Sequence, residues 1–327
     1  MNLALRLTAL RVLRAAGRYI ALASVCLGVP IVSFVSIAHA ADTGATTAAA
    51  LALRAKFASL QDQLAHNQFQ RPLYLASVDT ASSVTGDIHA FVNTPFGTVN
   101  TALNSPTRWC DILMLHINTK YCRATTDSSG SVLQVNIGKK FDQPVDQAYQ
   151  VDFVYHGIAQ TPDYLKIVLT ADAGPLSTRD YRVALEAVPL DNGGTFIHLT
   201  YSYRYGFAAQ LAMQAYLATI GRGKVGFTMA SMQSDGQPLY IGGMRGVVER
   251  NTMRYFLAIE AYLGALSVPP PARVEKGLRD WFAGIERYPR QLHELEENEY
   301  LDMKRKEFVR MLGMTKVSPA QSLQKPL

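Results

Sequence analysis

Apolar and polar residues alternate along most of the stretch from Val84 to Tyr205, the pattern of strands with one dry face and one wet face. Val84, Ile88, Ala90 and Val92 alternate with Thr85, Asp87, His89 and Phe91. The same period of two sets Leu133, Val135 and Ile137 against Gln134 and Asn136, and Tyr149, Val151, Phe153 and Tyr155 against Gln150, Asp152 and His156. Leu165, Ile167 and Leu169 follow, then Tyr181, Val183, Leu185 and Ala187, and last Ile197, Leu199, Tyr201, Tyr203 and Tyr205. Turn formers separate these runs at Asp127 to Gly130, Gln160 to Asp163, Gly174-Pro175 and Asp191-Asn192-Gly193-Gly194. Long strands joined by short turns predict an antiparallel meander whose dry face needs a cover.

Elsewhere the period is helical. Leu53, Phe57, Leu60 and Leu64 mark a helix that ends before Arg71-Pro72, behind an Ala/Thr-rich linker over Asp42 to Ala50. Thr98 to Leu103 and Pro106 to Leu113 read as two short helices after the break at Asn93-Thr94-Pro95-Phe96-Gly97. Phe207 to Ile220 and Gly243 to Leu266 are the helices placed to cover the sheet, and the second aligns Met244, Val248, Asn251, Tyr255, Ile259, Tyr262 and Leu266 on one side. Beyond Pro269-Pro270-Pro271, helices are expected over Val274 to Ile285 and Gln291 to Leu312, the latter acidic at its start and basic later, which complements the helix dipole.

The first forty residues form a different kind of segment. Arg6, Arg11, Arg14 and Arg18 precede an apolar run from Tyr19 to Ile37, and Ala38-His39-Ala40 supplies a small-x-small cleavage pattern. Residues 1–40 are therefore expected to be a signal peptide, with the mature chain periplasmic or secreted. Gly28 and Pro30 disfavour an uncleaved anchor, and Val25 disfavours lipidation at Cys26. The formal charge of +6 falls to +2 without the four leader arginines, and no basic run with interleaved aromatics marks a nucleic-acid surface. Cys110 and Cys122 remain after the leader, and in an oxidising compartment such a pair is most simply a disulfide. A metal site there would need ligands beyond His116.

Motifs that carry chemistry are sparse. Gly221 to Gly226 lacks the spacing of a phosphate-binding loop, no Gly-x-Ser-x-Gly elbow occurs, and no His-Glu-x-x-His pair occurs. No cofactor and no metal are expected, and no catalytic residue is assigned. His89, His156 and His198 share the polar parity of their strands, with Asp87 and Asp152, and the ordinary reading is exposed sheet positions. The dry face is unusually rich in phenols, each of which needs a hydrogen-bond partner when buried. That richness makes Val135, Tyr149, Phe153, Tyr155, Ile167, Leu185, Leu199, Tyr201, Tyr203, Tyr255 and Ile259 candidate ligand contacts, the alternative being tyrosines that pack by the ring and reach solvent with the hydroxyl. Arg250 and Arg254 are candidates for an anionic head group or else solvated arginines.

Gly86-Asp87-Ile88-His89-Ala90-Phe91-Val92-Asn93-Thr94-Pro95-Phe96, followed by Val99, Leu103, Pro106 and Trp109, resembles the opening of START-like domains. The strands from Leu133 to Tyr205 and the helix from Gly243 to Leu266 resemble the rest of that fold, over roughly residues 72–266. The resemblance implies an α+β helix-grip fold: a curved antiparallel sheet wrapped on a long C-terminal helix, with a space between them that holds lipids, sterols or polyketides. A helical insertion at 207–240 and a helical extension at 267–327 depart from the pattern, as does the N-terminal linker and helix over 41–71.

Three functions fit this reading. The first is an exported carrier or binding protein for a hydrophobic ligand such as a lipid, fatty acid or sterol, with possible transient membrane contact. The second is a helix-grip cyclase or hydrolase acting on a hydrophobic substrate. The third is a non-catalytic envelope protein whose charged tail docks a protein partner. Nucleic acid is not an expected partner of any of them.

Overall fold

Alternation is realised as a sheet. The computed structural model describes residues 37–219 and 223–315; of the predicted leader over residues 1–40, residues 1–36 lie outside the described residues. An eight-stranded antiparallel sheet is built from β1 (Leu73–Asp79), β2 (Ser83–Val92), β3 (Thr119–Asp127), β4 (Gly130–Ile137), β5 (Tyr149–Gln160), β6 (Leu165–Ala173), β7 (Thr178–Pro189) and β8 (Thr195–Tyr205), in the order β1-β2-β8-β7-β6-β5-β4-β3. The five runs read from the sequence after Gly130 are β4 to β8, and their apolar parity is the buried one except at Tyr149, which is exposed.

Helices α1 (Ile37–Ser59) and α2 (Gln61–Ala65) come first in the chain. Residues 42–50 thus lie inside α1, where an unstructured linker was expected; the alanines that suggested a linker are the best helix formers of all. The expected cleavage point at Ala40 also falls within this helix. Ala50, Leu53, Leu60 and Leu64 pack with Tyr164, Val188 and Phe196 in a cluster of their own on the outer face of the sheet. Phe57 meets the ring of Phe196 at 4.9 Å, and Arg54 donates to the carbonyl of Pro189 at 2.6 Å.

On the inner face, α3 (Phe96–Leu103) and α4 (Pro106–Leu113) follow β2, and the Cys110–Cys122 disulfide ties α4 to β3. The segment 207–240 holds α5 (Phe207–Ala218) and then a hairpin of β9 (Met229–Met232) and β10 (Pro238–Tyr240), so the expected helical insertion is helical only in its first part. Gly236, at φ +80°, makes the hairpin turn that a β-carbon would strain.

Helix α6 (Gly243–Ala265) lies in the grip of the sheet. Its closest approach is at Gly86, where a β-carbon would stand 2.3 Å from Thr252 Oγ1. α7 (Arg273–Glu286), α8 (Pro289–Leu292) and α9 (Glu297–Thr315) complete the chain, and Leu278, Trp281, Ile285, Tyr300, Met303 and Phe308 join the same core as the sheet and α6. This second cover explains why α6 is buried on several sides, including Glu249, Arg250 and Arg254. Glu249 accepts from the backbone of Phe227 and Thr228 and from the hydroxyls of Thr228 and Ser77, at 2.6–2.9 Å. The order of elements and the sheet wrapped on α6 are those of the START-like helix-grip fold.

α9 also brings in charge. Glu307 lies between Lys120 of β3 at 3.0 Å and Lys304 at 2.5 Å, all three side chains without solvent exposure. Lys304 also donates to the carbonyl of Thr119 at 2.7 Å. Burial holds its ammonium down to about 8, against the pull of Glu307.

A candidate ligand cleft between the sheet and the long helix

The sheet and α6 share one core along much of their length, and a space lies between them toward the Met244 end of the helix. An inner chamber of about 260 Å³ is walled by Tyr181 on β7, Tyr201 and Tyr203 on β8, and Met244, Val247, Asn251 and Tyr255 on α6. The 116–119 segment before β3 and the 3-10 turn Pro175–Ser177 close its sides. An outer chamber of about 760 Å³ shares Asn118, Ile137, Pro175, Leu176, Val247 and Asn251 with it, so the two form one cleft. Leu176 and Ser177 hold φ of +57° and +61°, strained for residues with side chains, at the place where the chambers join.

The strand and helix periods bring the phenols together. Tyr181 and Tyr203 stack at 5.3 Å, Tyr201 lies 5.1 Å from Tyr255, and His116 stacks on Tyr255 at 4.9 Å. Tyr181 hydrogen-bonds Thr178 Oγ1 at 2.6 Å, and Tyr205 donates to the carbonyl of Thr80 at 3.0 Å. Among the described residues, the hydroxyls of Tyr201, Tyr203 and Tyr255 have no partner. His116 Nδ1 accepts from the amide of Asn118 at 3.2 Å, which leaves the proton on Nε2, and that buried N–H is also unpartnered.

Protonation in this chamber is one-sided. Burial pushes the Tyr201, Tyr203 and Tyr255 phenols up, and burial with the nearby charges of Arg254 and Lys304 pushes His116 well below its ordinary value. At neutral pH the chamber therefore presents neutral hydrogen-bond donors. Its lining includes no carboxylate.

The outer chamber is electropositive. Lys139, Lys140, Arg250, Arg254 and Glu294 line it with Phe141 and Tyr149. Glu294 is shared by Lys140 at 2.6 Å, Arg254 at 2.7 Å and Lys224 at 3.3 Å. Arg250, 4% exposed, and Arg254, 3% exposed, lie on the buried wall, where the sequence had left solvated arginines as the alternative.

Of the residues proposed from the sequence, Tyr201, Tyr203 and Tyr255 line the inner chamber and Tyr149 lines the outer one. Val135, Phe153, Ile167, Leu185, Leu199 and Ile259 are buried in the continuous core and line neither chamber, and Tyr155 packs half-buried against that core. The close approach at Gly86 is where sheet and helix touch, so the space between them does not run along the whole helix. His116, Asn118, Leu176 and Lys140 enter from loops and were not identified from the sequence as ligand contacts; His116 had drawn notice only for its place between the cysteines.

Of the polar-face histidines, His156 is an exposed sheet position, whereas His89 is buried and His198 half-buried. His89 and His198 are register partners on β2 and β8 and stack on the outer face, while His156 lies on β5 and contacts Thr170 at 3.2 Å. Among the described residues no group of His, Cys, Asp and Glu is arranged to hold a metal ion.

No protein-family model matches the chain and no curated protein matches it. Among solved structures, Ara h 8.0201 is similar over 60% of this chain and 99% of its own, at 12% identity and a TM-score of 0.33. Norcoclaurine synthase from Thalictrum flavum, as a point mutant with a transition-state analogue, is similar over 43% of this chain and 91% of its own, at 14% identity and a TM-score of 0.31. Human StAR-related lipid transfer protein 5 is similar over 54% and 90%, at 7% identity and a TM-score of 0.29. Scores this low add nothing to the strand order and helix packing on which the fold assignment rests.

Proposed function

We propose that this chain is an exported binding protein whose cleft holds a compact hydrophobic molecule carrying hydrogen-bond acceptors. The observation that carries the reading is the set of three phenol hydroxyls around the inner chamber, those of Tyr201, Tyr203 and Tyr255, for which the described residues supply no hydrogen-bond partner. The hydroxyls open onto the chamber, where a ligand acceptor or an ordered water can take their hydrogen bonds. Burying about 200 Å² of ligand apolar surface at about 25 cal/mol per Å² contributes about 5 kcal/mol before the cost of association. The size of the inner chamber favours a small ring or a medium-length chain over a whole membrane lipid.

Binding is favoured over acid–base catalysis by the protonation of the lining. A general base works best with a pKa near the working pH, whereas the phenols here are pushed up and the imidazole is pushed down. Export is supported by the basic and apolar leader with its Ala38-His39-Ala40 pattern and by the disulfide between α4 and β3. N-terminal sequencing of the secreted or periplasmic protein is expected to begin at Ala41.

The test of the cleft uses a neutral fluorescent probe, N-phenyl-1-naphthylamine, with the native protein and with Val247→Trp, which fills the wall common to both chambers. Saturable uptake by the native protein, lost in the folded variant, is the expected result. A native protein that takes up no probe and shows no co-purifying ligand by native mass spectrometry would sink the reading.

A further inference from the structure

We infer that a second cavity, apart from the cleft, is a site for a small zwitterion with an apolar side chain, a free amino acid in kind, whose ammonium faces Asp111 and whose carboxylate faces Arg108 and Arg273. The cavity shares no lining residue with either chamber of the cleft, so the inference does not depend on what the cleft holds.

The cavity, of about 410 Å³, lies where α4, the C-terminal end of α6, the start of α7 and α9 come together. Leu115, Leu266 and Phe308 give it an apolar floor, on which a hydrocarbon side chain can be buried. Arg108, Asp111, Tyr262 and Arg273 supply its polar groups.

Charges of both signs in one lining set the class of ligand. A simple cation would meet two guanidinium groups and a simple anion would meet a carboxylate, and each juxtaposition of like charges is costly. A molecule carrying both charges matches both. Asp111 is half-buried, and the charge of Arg108, one turn earlier on α4, lowers its pKa less than burial raises it, leaving the carboxyl at about 6. The Arg108 guanidinium turns instead to the hydroxyl of Tyr262, to which its Nη1 donates at 3.4 Å. An ammonium beside Asp111 would stabilise its ionised form.

The groups are also held in place. Arg273 donates from Nε to the carbonyl of Val268 at 3.1 Å, which fixes its stem through an atom other than the terminal nitrogens that a carboxylate can bridge. Asp111 follows Cys110, whose disulfide to Cys122 ties α4 to β3. Side chains fixed beforehand cost less to order when a ligand arrives.

Calorimetric titration of the mature protein with L-phenylalanine, 2-phenylethylamine and 3-phenylpropanoate tests this, because the three share a ring and differ in their charged groups. Phenylalanine is expected to bind about tenfold tighter than either of the others. Asp111→Asn is expected to weaken phenylalanine and phenylethylamine severalfold and to leave phenylpropanoate no weaker. Arg273→Met is expected to weaken phenylalanine and phenylpropanoate and to leave phenylethylamine no weaker. Val247→Trp, which fills the cleft, is expected to leave all three affinities unchanged.

No measurable binding of phenylalanine, or equal binding of the three compounds, would overturn the inference. Uniform weakening of all three in both folded variants would also overturn it, since the charges would then shape the cavity without choosing the ligand. Loss of binding in Val247→Trp would place the ring in the cleft, sinking this inference and leaving the cleft reading intact.

Discussion

His89 and His198 lie face to face on the outer side of the sheet, ring centroids 4.1 Å apart and planes 9° from parallel, yet their protonation is driven in opposite directions. His198 is held between Asp87 at 2.8 Å and Glu186 at 3.3 Å. Burial pulls its pKa down, but the hydrogen bonds to those carboxylates prevail and lift it to about 9. His89 loses charge to burial first and to repulsion from His198 second, and falls to about 3.

The sign of the pH effect follows. His198 has a folded pKa above its unfolded value near 6.5, so its stabilisation is complete below about pH 6.5 and is lost as pH rises through about 9. Urea denaturation from pH 6 to 10 is expected to show a falling contribution that His198→Gln removes. Imidazole resonances in NMR are expected to give His198 a midpoint near 9 and to keep His89 neutral down to about pH 4, and a His198 midpoint near 6.5 would contradict the network.

The buried triad of β3 and α9 gives a second prediction. Glu307→Gln leaves two buried ammonium groups facing a neutral amide, and is expected to cost about 3–5 kcal/mol in denaturant unfolding. Replacing all three, as Lys120→Met, Lys304→Met and Glu307→Leu, is expected to recover most of that loss. Equal losses in the single and triple variants would show that the ion pairs are not what the single variant damages.

Tyrosines with and without partners separate stability from binding. Tyr201→Phe and Tyr255→Phe are expected to leave unfolding free energy within about 0.5 kcal/mol, because the hydroxyl removed bonds no protein group, and to weaken an acceptor-bearing ligand several-fold. Tyr205→Phe strips the bond to the Thr80 carbonyl and is expected to cost about 0.5–1.5 kcal/mol with no change in ligand affinity.

Gly86 offers the sharpest steric test of the grip. Gly86→Ala puts a methyl group against Thr252 Oγ1 and is expected to destabilise by about 1–3 kcal/mol, while Gly86→Ala with Thr252→Ala recovers part of it. Melting curves of the single and double variants read this directly.

Legibility from sequence followed the regularity of burial. β4 to β8 were readable because each keeps a largely buried parity along the strand, and α6 because its apolar residues recur at helical spacing, although the folded helix is buried on several sides. β3 was not, because Lys120 is fully buried where an alternating pattern demands an apolar residue, and its partner Glu307 lies far along the chain. β1 was missed because it is an edge strand whose residues are mostly half-buried, without a dry parity. Within the cleft, Tyr201, Tyr203 and Tyr255 sit on periodic elements and could be proposed, whereas His116, Leu176 and Lys140 sit on loops whose positions only the folded chain determines. The volume itself left no mark, since Leu185 and Leu199 obey the same parity as Tyr201 and end in solid core.

α9 seals the side of β3 that has no neighbouring strand, and it does so with a carboxylate that a lysine of that strand requires. A gene product shortened after Pro271 would thus lose more than a tail: it would bare a hydrogen-bonding margin open to other chains and take away the carboxylate that pairs Lys120. The smallest piece that can be expected to behave as this protein in the test tube therefore reaches at least to Met311, whose side chain is the last buried one among the described residues.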